Sequence, residues 1–503
     1  MTGHTLGIII FLVYLVILVA LTYYSNKQVT NSADFATGGG RISPIMLGIC
    51  LAATVHSAGT FVGVGGLGYA FGFNTLWHAL TIPLPVVFSL IIYSKMAHQM
   101  ANVNRSISMP DWVGHRYQSD AVRVAMAICT MFLIITVFAQ YSGAATGFEM
   151  LLGIPYSWGL VLAVVIVTIY TLIGGAFADV YTDTFQGIIM LVVAIAIAVS
   201  AGWMFQGGLA EVSSTLNAVD PNLTAVINPT SPLFGSSIYI VIMILVYLTH
   251  VSEPQNFNKI LGVGKKADLR KFIIAVTLFM IGLALADFGG IYMRALGETI
   301  ALPEGFRPDQ ANFFYIQQAF SPVVASIFQV AIVAAVMSTM DGLLVSLGVA
   351  VSSDIYRRVM VPRGWGGISS DAPEEEIERR TVTLSRVAVL VIGVLTILSV
   401  MTPPSLMAIL MLAGRGALGA AAAGPVVLGL FWKRGNAPGA LASIVTGAIS
   451  FVLIYFVFHL ENNPTAAQFY STLLAVGAMV VVSLLTKPLA EEHVNAMFKN
   501  AAE

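Results

Sequence analysis

Charge is what this chain has least of. Of its 503 residues only 10% are charged, 57% are hydrophobic, and the mean hydropathy is +0.86. Soluble globular domains carry about 25% charged residues, so a fold surrounded by water is excluded and the lipid bilayer becomes the solvent. The formal net charge of −1 offers no basic surface to nucleic acid. The two cysteines, Cys50 and Cys129, both lie in apolar segments, which argues against a structural disulfide. The eight histidines form no i, i+4 pair and no HExxH, so a membrane metalloprotease has no support and the chain does not read as an enzyme. Long polar inserts are missing too. The largest, 97–119, 206–232, 298–313 and 354–380, are too short for a soluble domain, and DAPEEEIERR in the last reads as an acidic helix start.

What is present is apolar run after apolar run. About thirteen segments meet the ~20-residue length that spans a bilayer, which predicts an all-α integral membrane protein. The first, Leu6–Tyr23, lacks a basic flank and a small-residue cleavage site, so it reads as a retained helix. Lys and Arg concentrate in alternate loops, Lys259 being counted among the inner ones, while the other side keeps only Arg294 and Arg307. That asymmetry puts the N-terminus outside and the C-terminus in the cytoplasm of a multi-pass inner (plasma) membrane protein.

Two of the runs are interrupted. GICLAATVHSAGTFVGVGGLGYAFG, Gly48 to Gly72, is rich in glycine and carries a polar ATVHS stretch. Glycines let helices approach closely, and a break near 53–57 would free backbone carbonyls for an ion. YLTHVSEPQNF, 247–257, places His250, Ser252 and Glu253 ahead of Pro254. Proline either breaks the helix here or ends it, leaving Glu253 at the inner surface. The interrupted runs each start a five-helix block, the placement inverted-repeat transporters use. This divides the chain into a leading helix and loop (1–43), a first repeat (44–205), a second repeat (206–432) and two trailing helices with a tail (433–503).

Polar residues inside the apolar runs mark the candidate site. AAVMSTMDG, 334–342, drops Ser338, Thr339 and Asp341 into a spanning helix, with Ala335, Ser338 and Thr339 on one face. Hydroxyl and carbonyl oxygens suit a hard cation such as sodium, although each hydroxyl can instead bond back to a carbonyl one turn earlier. IGGAFADVYTDTFQG, 173–187, brings Asp183, either as a helix N-terminal acid or as a second cation ligand or gate. Arg415 lies half-way along another span among small residues. A buried guanidinium needs a carboxylate, supplied internally by Asp341, Glu253 or Asp287 or externally by a transported solute.

GGGR (38–41), the glycine-rich span, IGGAFADVYTDTFQG, AAVMSTMDG and GPVVLGLFWKR (424–434) together resemble the sodium:solute symporter family, nearest its pantothenate and proline branch. The resemblance implies a LeuT-type fold, about thirteen transmembrane helices around a 5+5 inverted-repeat core, and sodium-driven import of a small organic solute by alternating access. It implies a main sodium site from the carbonyls of Ala53, His56 and Ala335 and the hydroxyls of Ser338 and Thr339. A second ion site would use Asp183, with Asp341 and Gly342 standing where relatives have hydroxyls. The solute would lie beside Ser57, Ala58 and Gly59, opposite Gln140 and Tyr141. Chemistry, not the resemblance, adds Arg415 as the partner of a carboxylate such as pantothenate or another monocarboxylate. The alternatives are a proton-coupled or proline-like symporter, or a sensor built on the same bundle, which the absence of a kinase or receiver segment disfavours.

Overall fold

In the computed structural model the backbone is described for residues 3–28, 38–104, 106, 108–365, 367, 369 and 372–502; a few side chains among these, that of Asp341 included, lie outside the description. All regular structure among the described residues is helical. Backbone polar groups in a hydrocarbon solvent must be satisfied within their own segment, which helices alone achieve without closing a barrel. Proline is used where it costs least: Pro44, Pro254, Pro322 and Pro464 all stand in the first turn of their helices. The acidic run also behaves as its composition suggests, Glu374–Glu376 forming the first turn of Glu374–Ser399.

Burial separates the inner helices from the outer ones. In Pro322–Arg363 and Met407–Phe431, 83% of the most apolar window is buried inside the protein, against 28% for His4–Ser25, Ala437–Val457 and Pro464–Leu485. The outer helices turn large apolar side chains such as Leu12, Trp158, Leu278 and Leu398 outward, a belt of a kind that only lipid or a partner covers. Helix Pro322–Val349 packs between Tyr156–Met204 and Leu133–Leu152, and Met407–Ala423 closes against Leu133–Leu152 from another side.

Both interrupted runs are broken helices. Pro44–Val55 ends at His56, whose backbone leaves helical geometry (φ −91°, ψ 59°), and the chain resumes as a wide turn at Gly59–Val64 followed by Gly65–Phe71. The glycines serve packing: a Cβ on Gly290 would sit 1.8 Å from the Gly65 carbonyl oxygen, and one on Gly63 3.0 Å from the Ala408 nitrogen. Gly72 ends the segment at φ +66°, a conformation that costs side chains dearly. The second run, Ser237–Tyr247, passes through a tight turn at His250–Ser252 and an extended Glu253 before Pro254–Leu261 continues. Glu253 is therefore buried, not left at a surface.

Candidate functional site

The first break leaves oxygens without donors. The His56 N–H bonds to Ala52 and the Thr60 and Phe61 N–H groups bond to Ser57, while no backbone N–H among the described residues reaches the carbonyls of Ala53, Val55 or His56. Ser338 and Thr339 come to this break on Pro322–Val349, both buried. Their hydroxyls do different things. Ser338 bonds back to the Ala335 carbonyl at 3.0 Å, whereas Thr339 donates across the gap to the Thr54 carbonyl at 3.3 Å. Thr339 thus ties the two elements together across the break, and hydroxyl and carbonyl oxygens of this kind suit a hard cation and offer nothing to a soft one.

Beside it lie the residues expected to meet the solute. Gln140 Nε2 donates to Ser57 Oγ at 2.9 Å, and the Gly59 N–H donates to the same oxygen at 3.2 Å. Ala58 packs against Gly143 one turn along from Gln140, and Gly59 is backed by Met411. Tyr141 is buried in the same helix. Gln140 Oε1 is buried with no partner among the described residues, an unmet acceptor at the edge of this group. The adjoining cavity, bordered by Gly59, Thr60, Tyr247, Met411 and Arg415, holds only about 20 Å³, room for roughly one water.

Arg415 is not free for a solute carboxylate here. Its Nε lies 3.0 Å and its Nη2 2.6 Å from the two oxygens of Glu253, a forked pair, and Nη2 also lies 3.0 Å from His250 Nε2. Gln255 Nε2 donates to Glu253 at 2.6 Å. The internal pairing with Glu253 is thus the arrangement formed, because the break at Glu253 brings the carboxylate alongside Met407–Ala423. Asp287, another of the three candidate acids, is taken by His78 Nδ1 at 2.9 Å, and the His78 ring stands edge-on to His56 with centroids 6.0 Å apart.

Asp183 is not at a helix N-terminus: it lies inside the helix Tyr156–Met204 and is fully buried. It accepts from Cys50 Sγ at 3.2 Å, lies 3.3 Å from Thr54 Oγ1 and is 3.6 Å from Lys259 Nζ. Asp179, one turn earlier, is also 3.6 Å from Lys259. Lys259 is therefore no loop charge: the helix restarting at Pro254 carries it into the bundle, where it is buried. The signal was present in the sequence. Two carboxylates at i, i+4 in an apolar helix share one face and require a cation. The Asp341 side chain lies outside the described residues, so its place relative to Asp183 is not described.

Broken helices with freed backbone oxygens are a recurring build of secondary transporters. The chain belongs to the sodium:solute symporter family, whose profile matches residues 35–447. It is 28% identical to the sodium/pantothenate symporter of Escherichia coli K12 over 92% of this chain and 93% of that one. It is 26% identical to the osmoregulated proline transporter OpuE of Bacillus subtilis 168 over 94% of each. A sodium-coupled sialic acid symporter in its substrate-bound outward-open state superposes with a TM-score of 0.76 at 19% identity, covering 96% of this chain and 98% of that one. Mhp1, a nucleobase-cation-symport-1 transporter in a closed conformation, superposes at 0.54 and 14% identity, covering 93% and 99%. The fold is LeuT-type, the protein is a sodium-coupled symporter, and it is a multi-pass membrane protein.

Proposed function

We propose that the protein imports a small organic solute bearing a carboxylate, of the pantothenate or short monocarboxylate class, together with sodium by alternating access. The observation that carries this reading is the set of backbone carbonyls left without donors at the first break, with the Thr339 hydroxyl reaching across to Thr54. In this reading a sodium ion there would take the carbonyls of Ala53, His56 and Ala335 and the hydroxyls of Ser338 and Thr339, next to Ser57–Gly59. A cation bound there would draw in a carboxylate, and the N–H groups of Ala58 and Gly59 begin a half-helix whose positive end favours an anion. Gln140, hydrogen-bonded to Ser57, and Tyr141 next to it in the helix would select the rest of the solute. Arg415 borders the same cavity and reaches a solute only if its pair with Glu253 opens. The N-terminus lies outside and the C-terminus in the cytoplasm, as the loop charges favour.

A proline-like amino acid is the second reading, favoured by the Bacillus relative's transport of proline. Uptake of labelled pantothenate, acetate, lactate, proline and sialic acid into proteoliposomes under an inward sodium gradient decides between them. The reading predicts that a carboxylate lacking an amino group is taken up and that proline does not compete. Uptake of proline alone would replace it with the second reading.

A further inference from the structure

Lys259 presents its ammonium to three partners on two helices. It donates to the Thr54 hydroxyl and lies 3.6 Å from Oδ2 of both Asp179 and Asp183. All three partner side chains are buried. Cys50 Sγ, Asp179 and Asp183 converge on the same point, with ligand atoms within 4.8 Å of one another. A Cβ on Gly342 would sit 3.2 Å from Asp179 Oδ1, so the cluster abuts Pro322–Val349 one turn beyond Ser338 and Thr339. This is the position at which the sequence suggested a second ion. We infer that the Lys259 ammonium is the resident cation of that position, so that a single sodium, at the first break, binds in each cycle.

The geometry makes Lys259 more than a neutralising charge. Oδ2 of each carboxylate lies 3.6 Å from the ammonium and the Thr54 hydroxyl accepts from it, while Oδ1 of each has no partner among the described residues; a sodium ion there would have to sit beside a like charge. Thr54 also joins the two positions. Its hydroxyl meets Lys259, and its carbonyl accepts from Thr339 at the first break. A sodium that reorganises the Thr339 hydroxyl therefore pulls on the residue that holds Lys259, and Lys259 belongs to the second broken helix. A tethered cation links the two breaks without leaving the protein.

The inference rests on the sodium-coupled reading, and counting bound sodium separates the two. Equilibrium binding of radioactive sodium to the purified wild type, with no solute present, is expected to give one ion per protein. Lys259→Gln leaves two buried carboxylates facing each other and should bind a second sodium, doubling the ions bound per protein at saturation. Lys259→Arg should stay at one ion, and Lys259→Gln with Asp183→Asn should return to one. Two ions in the wild type overturn the inference while leaving sodium coupling intact, and this count stands even where Lys259→Gln fails to fold. A folded Lys259→Gln that still binds one ion with unchanged affinity also overturns it. No sodium bound by the wild type overturns the coupled reading itself.

Discussion

The two broken helices interrupt the same bundle with opposite chemistry. From Ala53 to Gly59 the first break has no acid, lysine or arginine; it presents carbonyls without donors to hydroxyls on a neighbouring helix. The second gathers His250 and Glu253 and answers them with the forked guanidinium of Arg415. A break that carries its own counter-charge is complete as folded. A break that offers only oxygen dipoles has its best partner outside the protein, in a cation. The contrast is the reason for proposing ion binding at the first and structural closure at the second.

The largest test attacks the closed break. Arg415→Ala leaves Glu253 buried without its guanidinium, with only His250 and side-chain amides beside it, and breaking a buried ion pair from one side costs about 3–5 kcal/mol. Thermal unfolding in detergent should show that loss, and Glu253→Gln in the same chain should recover most of it. If Arg415→Ala unfolds at the wild-type temperature yet loses only solute uptake, the arginine belongs to the solute and the contrast between the breaks fails.

A smaller effect is expected at the solute side of the open break. Gln140→Ala removes a hydrogen bond to Ser57 and an acceptor, worth about 1 kcal/mol or roughly fivefold in apparent solute affinity. The sodium requirement should not move. A Gln140 variant that shifts sodium dependence and spares the solute would merge the two halves of the site.

The smallest concerns Asp309, in the turn outside the spanning helices. Its carboxylate accepts the Met407 N–H at 3.0 Å, at the start of the helix that carries Arg415. Burial pushes its pKa up to about 7, against the opposing pull of that hydrogen bond and of Arg307. Between the ordinary carboxylate value and about 7 the folded protein holds a proton that the unfolded chain has released, so stability falls as pH rises through that window. Asp309→Asn should flatten the slope; an unchanged pH profile of unfolding would show that Asp309 is ionised throughout.

How legible this was depended on the length over which a signal acts. Apolar runs and the polar ATVHS and SEP interruptions are local, and they located both breaks; of the about thirteen spans expected, ten helices among the described residues are long and apolar enough to cross a membrane, and Tyr156–Met204 runs on as one helix where two spans were expected. The Ser338 and Thr339 pair was visible as two hydroxyls in an apolar helix, but which of them bonds back and which crosses to Thr54 is a matter of helix rotation and packing. Lys259 was misplaced because it was weighed only against its neighbours in sequence, after a proline. Its partners are Asp179 and Asp183, about 80 residues away, and the continued helix after the break is what delivers it. Arg415 posed the same problem in milder form: its need for a carboxylate was plain, and its choice of Glu253 over Asp287 was settled by geometry.

The central claim is that sodium binds at the first break, and the sodium dependence of uptake tests it most directly. With the solute held saturating in proteoliposomes, the Ser338→Ala, Thr339→Ala double variant should need at least about tenfold more sodium for half-maximal uptake, a loss of about 1.4 kcal/mol, with the order of solute preference unchanged. Wild-type uptake that runs equally well on a pH gradient without sodium, or a double variant with wild-type sodium dependence, would contradict the account.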